Sequence, residues 1–112
     1  MELTFKETPV FTRQIASLLT DDEYKELQIH LIEDPARGPV MKGTGGCRKI
    51  RWAKDDSGKS GGIRVIYYWI TEDKQIYMLF AFPKSNQENL TADQKKALKA
   101  VVQRELQGDP NG

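Results

Sequence analysis

Residues 43 to 70 limit most strictly what this chain can fold into. They read Gly43-Thr-Gly-Gly-Cys-Arg-Lys-Ile-Arg-Trp-Ala-Lys-Asp-Asp-Ser-Gly-Lys-Ser-Gly-Gly-Ile-Arg-Val-Ile-Tyr-Tyr-Trp-Ile. Two runs with β-branched and aromatic residues flank a loop rich in Gly and Lys, and that pattern predicts a β-hairpin. Side chains alternate along a strand, so Lys49 and Arg51 share one face while Ile50 and Trp52 share the other. The hairpin therefore offers a basic face with an apolar one behind it. From Arg48 to Arg64 there are six Lys or Arg against two Asp, although the net charge of the chain is only +1. That local excess, and not the overall balance, is the functional clue.

The rest of the chain arranges itself around this hairpin. Glu2 to Lys6 alternates and predicts a short first strand with Leu3 and Phe5 on one side. Thr8-Pro9 predicts a helix start, since Thr caps well and Pro at the first position loses no needed donor. Phe11, Ile15, Leu18 and Leu19 follow at helical spacing. Thr20-Asp21-Asp22-Glu23 has capping-box form and opens a second helix. Tyr24, Leu27, Leu31 and Ile32 are its expected buried stripe, and Asp34-Pro35 ends it. The two helices are expected to form a hairpin over one sheet face.

Residues 35 to 46 form a Gly- and Pro-containing loop into the basic strand, Cys47 to Ala53. Ile63 to Ile70 and Gln75 to Phe82 are the next strands, the latter apolar enough for a central position. Residues 83 to 89 make a polar loop, and Thr91-Ala92-Asp93-Gln94 opens a last helix with Leu98, Val101, Val102 and Leu106 as its stripe. The order β-α-α-β-β-β-α implies a single α+β domain with a largely antiparallel sheet, a helical hairpin on one face, and residues 108–112 as a tail after a domain at 1–107.

At 112 residues the chain is long enough for one core without staples. The single Cys47 excludes an intramolecular disulfide and a multi-cysteine metal site, and suits a reducing compartment. No apolar run approaches the ~18 residues of a membrane span, and the N-terminal residues lack a signal-peptide pattern. The expectation is a cytoplasmic protein without a membrane partner.

Several motifs have plain explanations. Ser57-Gly58-Lys59-Ser60 has the look of a P-loop end, but Ala53 stands where the motif needs Gly and a strand follows where it needs a helix. Asp21, Asp22 and Glu23 are accounted for by helix capping. His30, the only imidazole, sits among polar neighbours on the second helix. Cys47 lacks a base on its own element, so a passive thiol is expected. The basic hairpin carries more. Glycines bracket it, so backbone can come close to a ligand. Cations for phosphates beside aromatic faces for bases are what a single-stranded RNA site uses.

Two stretches, Gly43-Thr-Gly-Gly-Cys-Arg-Lys-Ile-Arg and Gly61-Gly-Ile-Arg-Val-Ile-Tyr-Tyr, resemble the RelE/HigB-type toxins of bacterial type II toxin–antitoxin pairs, and most of all the HigB-like branch. The resemblance covers nearly the whole chain. It implies a RelE-like fold and a ribosome-dependent mRNA endoribonuclease that inhibits translation, with no metal and no cofactor. The implied partners are the ribosome, mRNA and a cognate antitoxin of the DNA-binding helix-turn-helix type.

In such metal-free cleavage the 2′-hydroxyl attacks the adjacent phosphate. The reaction needs a proton acceptor, cations for the phosphorane, and a donor for the leaving 5′-oxygen. A lysine crowded by other cations gives up its proton more readily and can act as base. By position, the resemblance makes Lys49 the candidate base, Arg51 a phosphate holder, Arg64 the transition-state arginine and Lys84 the proton donor or a clamp. Arg48, Lys54 and Lys59 are expected RNA contacts, with Tyr68 and Phe82 as candidate stacking faces. The chain departs from related toxins at residues 85–89, Ser-Asn-Gln-Glu-Asn, which supply neither the arginine nor the tyrosine found there in relatives. That departure keeps a second class open: a non-nuclease binder of the same fold, either a ParE-like gyrase inhibitor or an inactive antitoxin-binding toxin.

Overall fold

The computed structural model describes residues 3–52, 62–70, 74–87 and 89–106. Its elements are β1 (Thr4–Glu7), α1 (Pro9–Leu18), α2 (Asp21–Glu33), β2 (Arg48–Trp52), β3 (Ile63–Ile70), β4 (Gln75–Pro83) and α3 (Ala92–Val101), the last continuing into a π-helical turn at Val102–Leu106. The strands form one four-stranded sheet in the order β1-β4-β3-β2. β1 runs parallel to β4, while β3 pairs antiparallel with both β2 and β4. The expected α+β class, element order and central β4 are present.

Helix starts follow the sequence closely. Thr8 Oγ1 accepts the N–H of Phe11 at 3.0 Å. Thr20 and Glu23 exchange the two bonds of a capping box, at 2.8 and 3.1 Å, as do Thr91 and Gln94, at 2.9 and 3.1 Å. Each Thr satisfies an amide that the helix itself cannot. Thr20→Ala should lower stability by about 1 kcal/mol, read as a lower urea midpoint with unchanged slope.

The sheet is buried on both sides, which explains why β3 is apolar almost throughout. On one side Phe11, Ile15, Leu27 and Leu31 of the helical hairpin pack on Ile50, Val65, Tyr67, Ile76 and Met78. On the other, Leu98 and Val102 pack with Leu90 on Cys47, Ile66, Leu79 and Phe82. Strand alternation sends Val65 and Tyr67 one way and Ile66 the other.

Two expectations need correction. Among the described residues the first strand begins at Thr4 and not Leu3, and runs to Glu7 and not Lys6, because its register pairs Thr4 with Gln75 through to Glu7 with Met78; Glu2 lies outside the described residues. Glu7 closes the strand by accepting Thr12 Oγ1 at 2.6 Å and Tyr24 Oη at 2.5 Å. Ile32 is 38% exposed. The buried face of α2 is carried by Leu27 and Leu31, four residues apart, and Ile32 lies past its edge.

β4 contains one extra residue. Ile66 pairs with Phe80 and Tyr67 with Met78, which leaves Leu79 as a bulge. β1 ends opposite Met78, so β4 would show a raw edge beyond it. Side chains of α1 and its cap close that edge: Thr8 Oγ1 donates to Leu79 O at 2.8 Å, and the Ala81 N–H donates to Gln14 Oε1 at 2.8 Å. Covering an unpaired edge in this way prevents another strand from adding there. Among the described residues, no helix is long and apolar enough to cross a membrane.

Candidate functional site

β2 separates its side chains by parity. Ile50 and Trp52 join the helical-hairpin core, and Lys49 and Arg51 point to the opposite side. There the cross-strand rows run Lys49–Ile66–Phe80 and Arg51–Arg64–Phe82. Beside this edge strand lies a cleft of about 570 Å³. Lys49, Arg51 and Arg64 line it from the hairpin, Arg37 with Gly38 and Pro39 from the loop after α2, and Asn89 from the loop before α3. Among the described residues, four cations line it and no carboxylate does. Low-dielectric walls concentrate the field of such a set, so the cleft draws anions.

The loop wall is held firmly. The Arg48 guanidinium donates to Ala36 O at 3.2 Å and to Gly38 O at 2.8 Å, and its carbon lies 6.0 Å from the Trp69 ring centre. Tyr67 Oη donates to Pro35 O at 2.8 Å and accepts the Gly38 N–H at 3.0 Å. Burial raises the Tyr67 phenol above its usual pKa, partly offset by that amide. The Lys49 N–H donates to Pro39 O at 3.2 Å, and the Met41 N–H to Cys47 O at 2.8 Å. Gly38 allows this closeness, because a Cβ there would stand 2.6 Å from Lys49 O.

The structure gathers Lys49, Arg51 and Arg64, and buries Arg64 to 3% exposure. It does not bring Arg48 to them, since that side chain serves the loop from the other face. Lys84 follows β4 directly. Its N–H donates to Gly62 O at 3.2 Å, which puts it at the sheet end where Arg51, Arg64 and Phe82 align, outside the cleft lining. Phe82 is 3% exposed within the second core, so its face is occupied. Tyr68 is half-buried, and a Cβ on Gly46 (φ 111) would come within 3.2 Å of its ring. Lys54, Lys59 and residues 108–112 lie outside the described residues. His30 packs on Trp52, ring centres 5.0 Å apart, beside the helical hairpin.

Arg37 and Asn89 are the cleft residues that sequence patterns did not reveal. Lys49 Nζ donates to Asn89 Oδ1 at 3.4 Å. Asn89 is itself tethered, because Gln87 Nε2 donates to its carbonyl at 2.8 Å and its neighbour Leu90 is buried. The one signal in the sequence is the Thr91 capping box with apolar Leu90 before it, which fixes how the chain enters α3.

Among the described residues, no group of His, Cys, Asp and Glu is arranged to hold a metal. Cys47 is fully buried, its Sγ 3.4 Å from Thr44 O, and burial pushes the thiol up from 9.0 to about 11. An acid whose folded pKa is raised is stabilising below its unfolded pKa, and that stability is lost as pH rises through the folded value. Tyr24 is raised too, by burial and by Glu7. Stability should therefore fall between about pH 9 and pH 11, and Cys47→Ala should flatten the decline in urea midpoint over that window.

An α+β domain whose sheet is covered by helices on both faces, with a cationic, loop-walled cleft beside its edge strand, is the class these features define. Residues 8–109 match the family model described as the RelE toxin of the RelE/RelB toxin–antitoxin system. The chain belongs to that family. Among solved structures it is similar to the intact E. coli RelBE toxin–antitoxin complex, at 16% identity over 73% of this chain and 96% of the other, with a TM-score of 0.57. It is also similar to the isolated E. coli RelE toxin, at 16% identity over 89% and 99%, TM-score 0.57. A free-state mutant of E. coli RelE matches at 17% identity over 79% and 90%, TM-score 0.55. At these identities the likeness is one of fold.

Proposed function

We propose that this chain is an endoribonuclease toxin of the HigB-like branch, cutting mRNA at the ribosome without a metal and held inactive by an antitoxin. The observation that carries the reading is the convergence of Lys49, Arg51 and Arg64 in one cleft, with no carboxylate among the described residues that line it. A site built for a phosphodiester needs that charge pattern, because stabilising the charge that develops in the transition state usually lowers the barrier more than any other single effect.

In the proposed reaction Lys49 takes the proton of the 2′-hydroxyl. The oxygen attacks phosphorus, and the P–O5′ bond breaks. Arg51 and Arg64 hold the non-bridging oxygens, and Lys84 gives a proton to the leaving 5′-oxygen. A 2′,3′-cyclic phosphate remains on one fragment. Asn89 orients Lys49 through the contact between Nζ and Oδ1. The antitoxin follows from the family and from the E. coli RelBE complex, and a DNA-binding helix-turn-helix type is proposed with it. The cytoplasm is the proposed site of action.

The test is to map RNA ends on a defined message incubated with purified protein, with and without translating ribosomes. New ends inside the decoding-site codon, seen only with ribosomes, are the expected result. Intact message under both conditions would overturn the nuclease and point to a ParE-like binder, for which gyrase supercoiling is the assay.

A further inference from the structure

We infer that the Arg37 corner of the cleft is a second phosphate subsite, taking an RNA phosphodiester next to the one that reacts. The inference rests on the ribonuclease reading and adds to it a residue outside the hairpin. Lys49, Arg51 and Arg64 all come from the paired strands, whereas Arg37 reaches the same cleft from a separate wall. A single reacting phosphate is served by the three hairpin cations. The volume of about 570 Å³ is within the range of pockets that enclose drug-sized ligands, about 300–1,000 Å³, and exceeds what one phosphate fills.

The backbone around Arg37 is also built to present it. Carbonyls on either side of it, at Ala36 and Gly38, are both held by Arg48. The Gly38 N–H is held by Tyr67, and the Arg37 N–H donates to Asp34 O at 3.1 Å. Arg37 itself is exposed. Arg48 and Tyr67 thus fix the backbone that carries this exposed cation at the cleft wall, and fixing a loop before binding removes the entropy cost of ordering it later. Both are positioning residues for this subsite.

The test uses a labelled 2′-O-methyl RNA oligonucleotide, which lacks the attacking hydroxyl and cannot be cut. Its affinity is measured against KCl concentration for the full chain and for Arg37→Gln and Arg37→Lys. Arg37→Gln should weaken binding about tenfold and reduce the slope of log K against log salt by about 0.7, the value for one single-strand phosphate contact. Arg37→Lys should keep the slope. On ribosomes, Arg37→Gln should raise the half-saturating concentration about tenfold while keeping the saturated cleavage rate. A measurement on the unaltered protein stands beside the variants: a 2′-O-methyl trinucleotide, with two phosphodiesters, should compete about tenfold better than the dinucleotide, and Arg37→Gln should erase the difference. Identical salt slopes for the unaltered protein and Arg37→Gln, or equal competition by the two short RNAs, would overturn the subsite. An unaltered protein that binds with the expected slope difference yet cuts no message would overturn the nuclease and leave the subsite standing. No salt-dependent binding at all would overturn the subsite and leave the nuclease to be decided by end mapping on ribosomes.

Discussion

Lys49→Met should slow cleavage of ribosome-bound message by roughly 10²–10⁴-fold, the range for removing a general acid or base, with little change in stability. Methionine keeps the unbranched stem and loses the charge. The Lys49 amide still donates to Pro39 O, so the contact between strand and loop survives. Asn89 is exposed, and its freed Oδ1 can accept from water, so no buried polar group is orphaned. The stability change should stay within about 0.5 kcal/mol, as for surface substitutions away from special features. Lys49→Arg separates the two roles that a cation can play here. Arginine keeps the charge but does not deprotonate in proteins, so a true base is lost in both variants, whereas a phosphate clamp is restored by arginine. Single-turnover rates with end mapping decide. A rate near that of the unaltered protein for Lys49→Arg would move the base assignment to another residue.

Gly38→Ala should destabilise the fold by about 1–3 kcal/mol, as overpacking of a tight site does. The new Cβ would stand 2.6 Å from Lys49 O, 2.9 Å from its carbonyl carbon and 3.1 Å from Tyr67 Oη. The first two are backbone atoms of β2 and cannot swing aside. Either the loop lifts, weakening its bonds to Arg48 and Tyr67, or the strand carrying Lys49 shifts. Both outcomes reach the cleft, so the loss of stability should come with loss of RNA affinity. Urea unfolding together with salt titration of RNA binding would show the two falling in step. A variant as stable as the unaltered protein would mean the loop has room that the geometry denies.

Those two residues also mark what can and cannot be read from the sequence. Lys49 is legible because strand parity is a local rule: once Ile50 and Trp52 are assigned to the core, Lys49 and Arg51 must face away. The same parity puts Arg48 on the core side, although its place beside Lys49 invites an RNA role. The three helix starts are legible because capping acts within four residues. Ile32 is not, since the width of the stripe that α2 buries depends on what it packs against. Arg37 and Asn89 are invisible for a related reason. Lys49 and Asn89 are 40 positions apart, and Gly38 and Tyr67 are 29 apart. No periodicity links such pairs, and only the closed sheet brings them together. The bulge at Leu79 is equally hidden, because nothing in β4 alone says that β1 will stop opposite Met78.

Since Arg48 and Ile50 serve one face of β2 while Lys49 and Arg51 serve the other, the strand has no slack in its length. Losing or gaining one residue between Cys47 and Trp52 would turn every side chain beyond that point to the opposite side. A cation would be driven into the helical core and an isoleucine into the cleft. A change of two residues restores the order of faces and only moves the hairpin end. Length variation in this strand among viable descendants of the chain should therefore come in even steps, and single-codon insertion scanning across it would show the pattern directly.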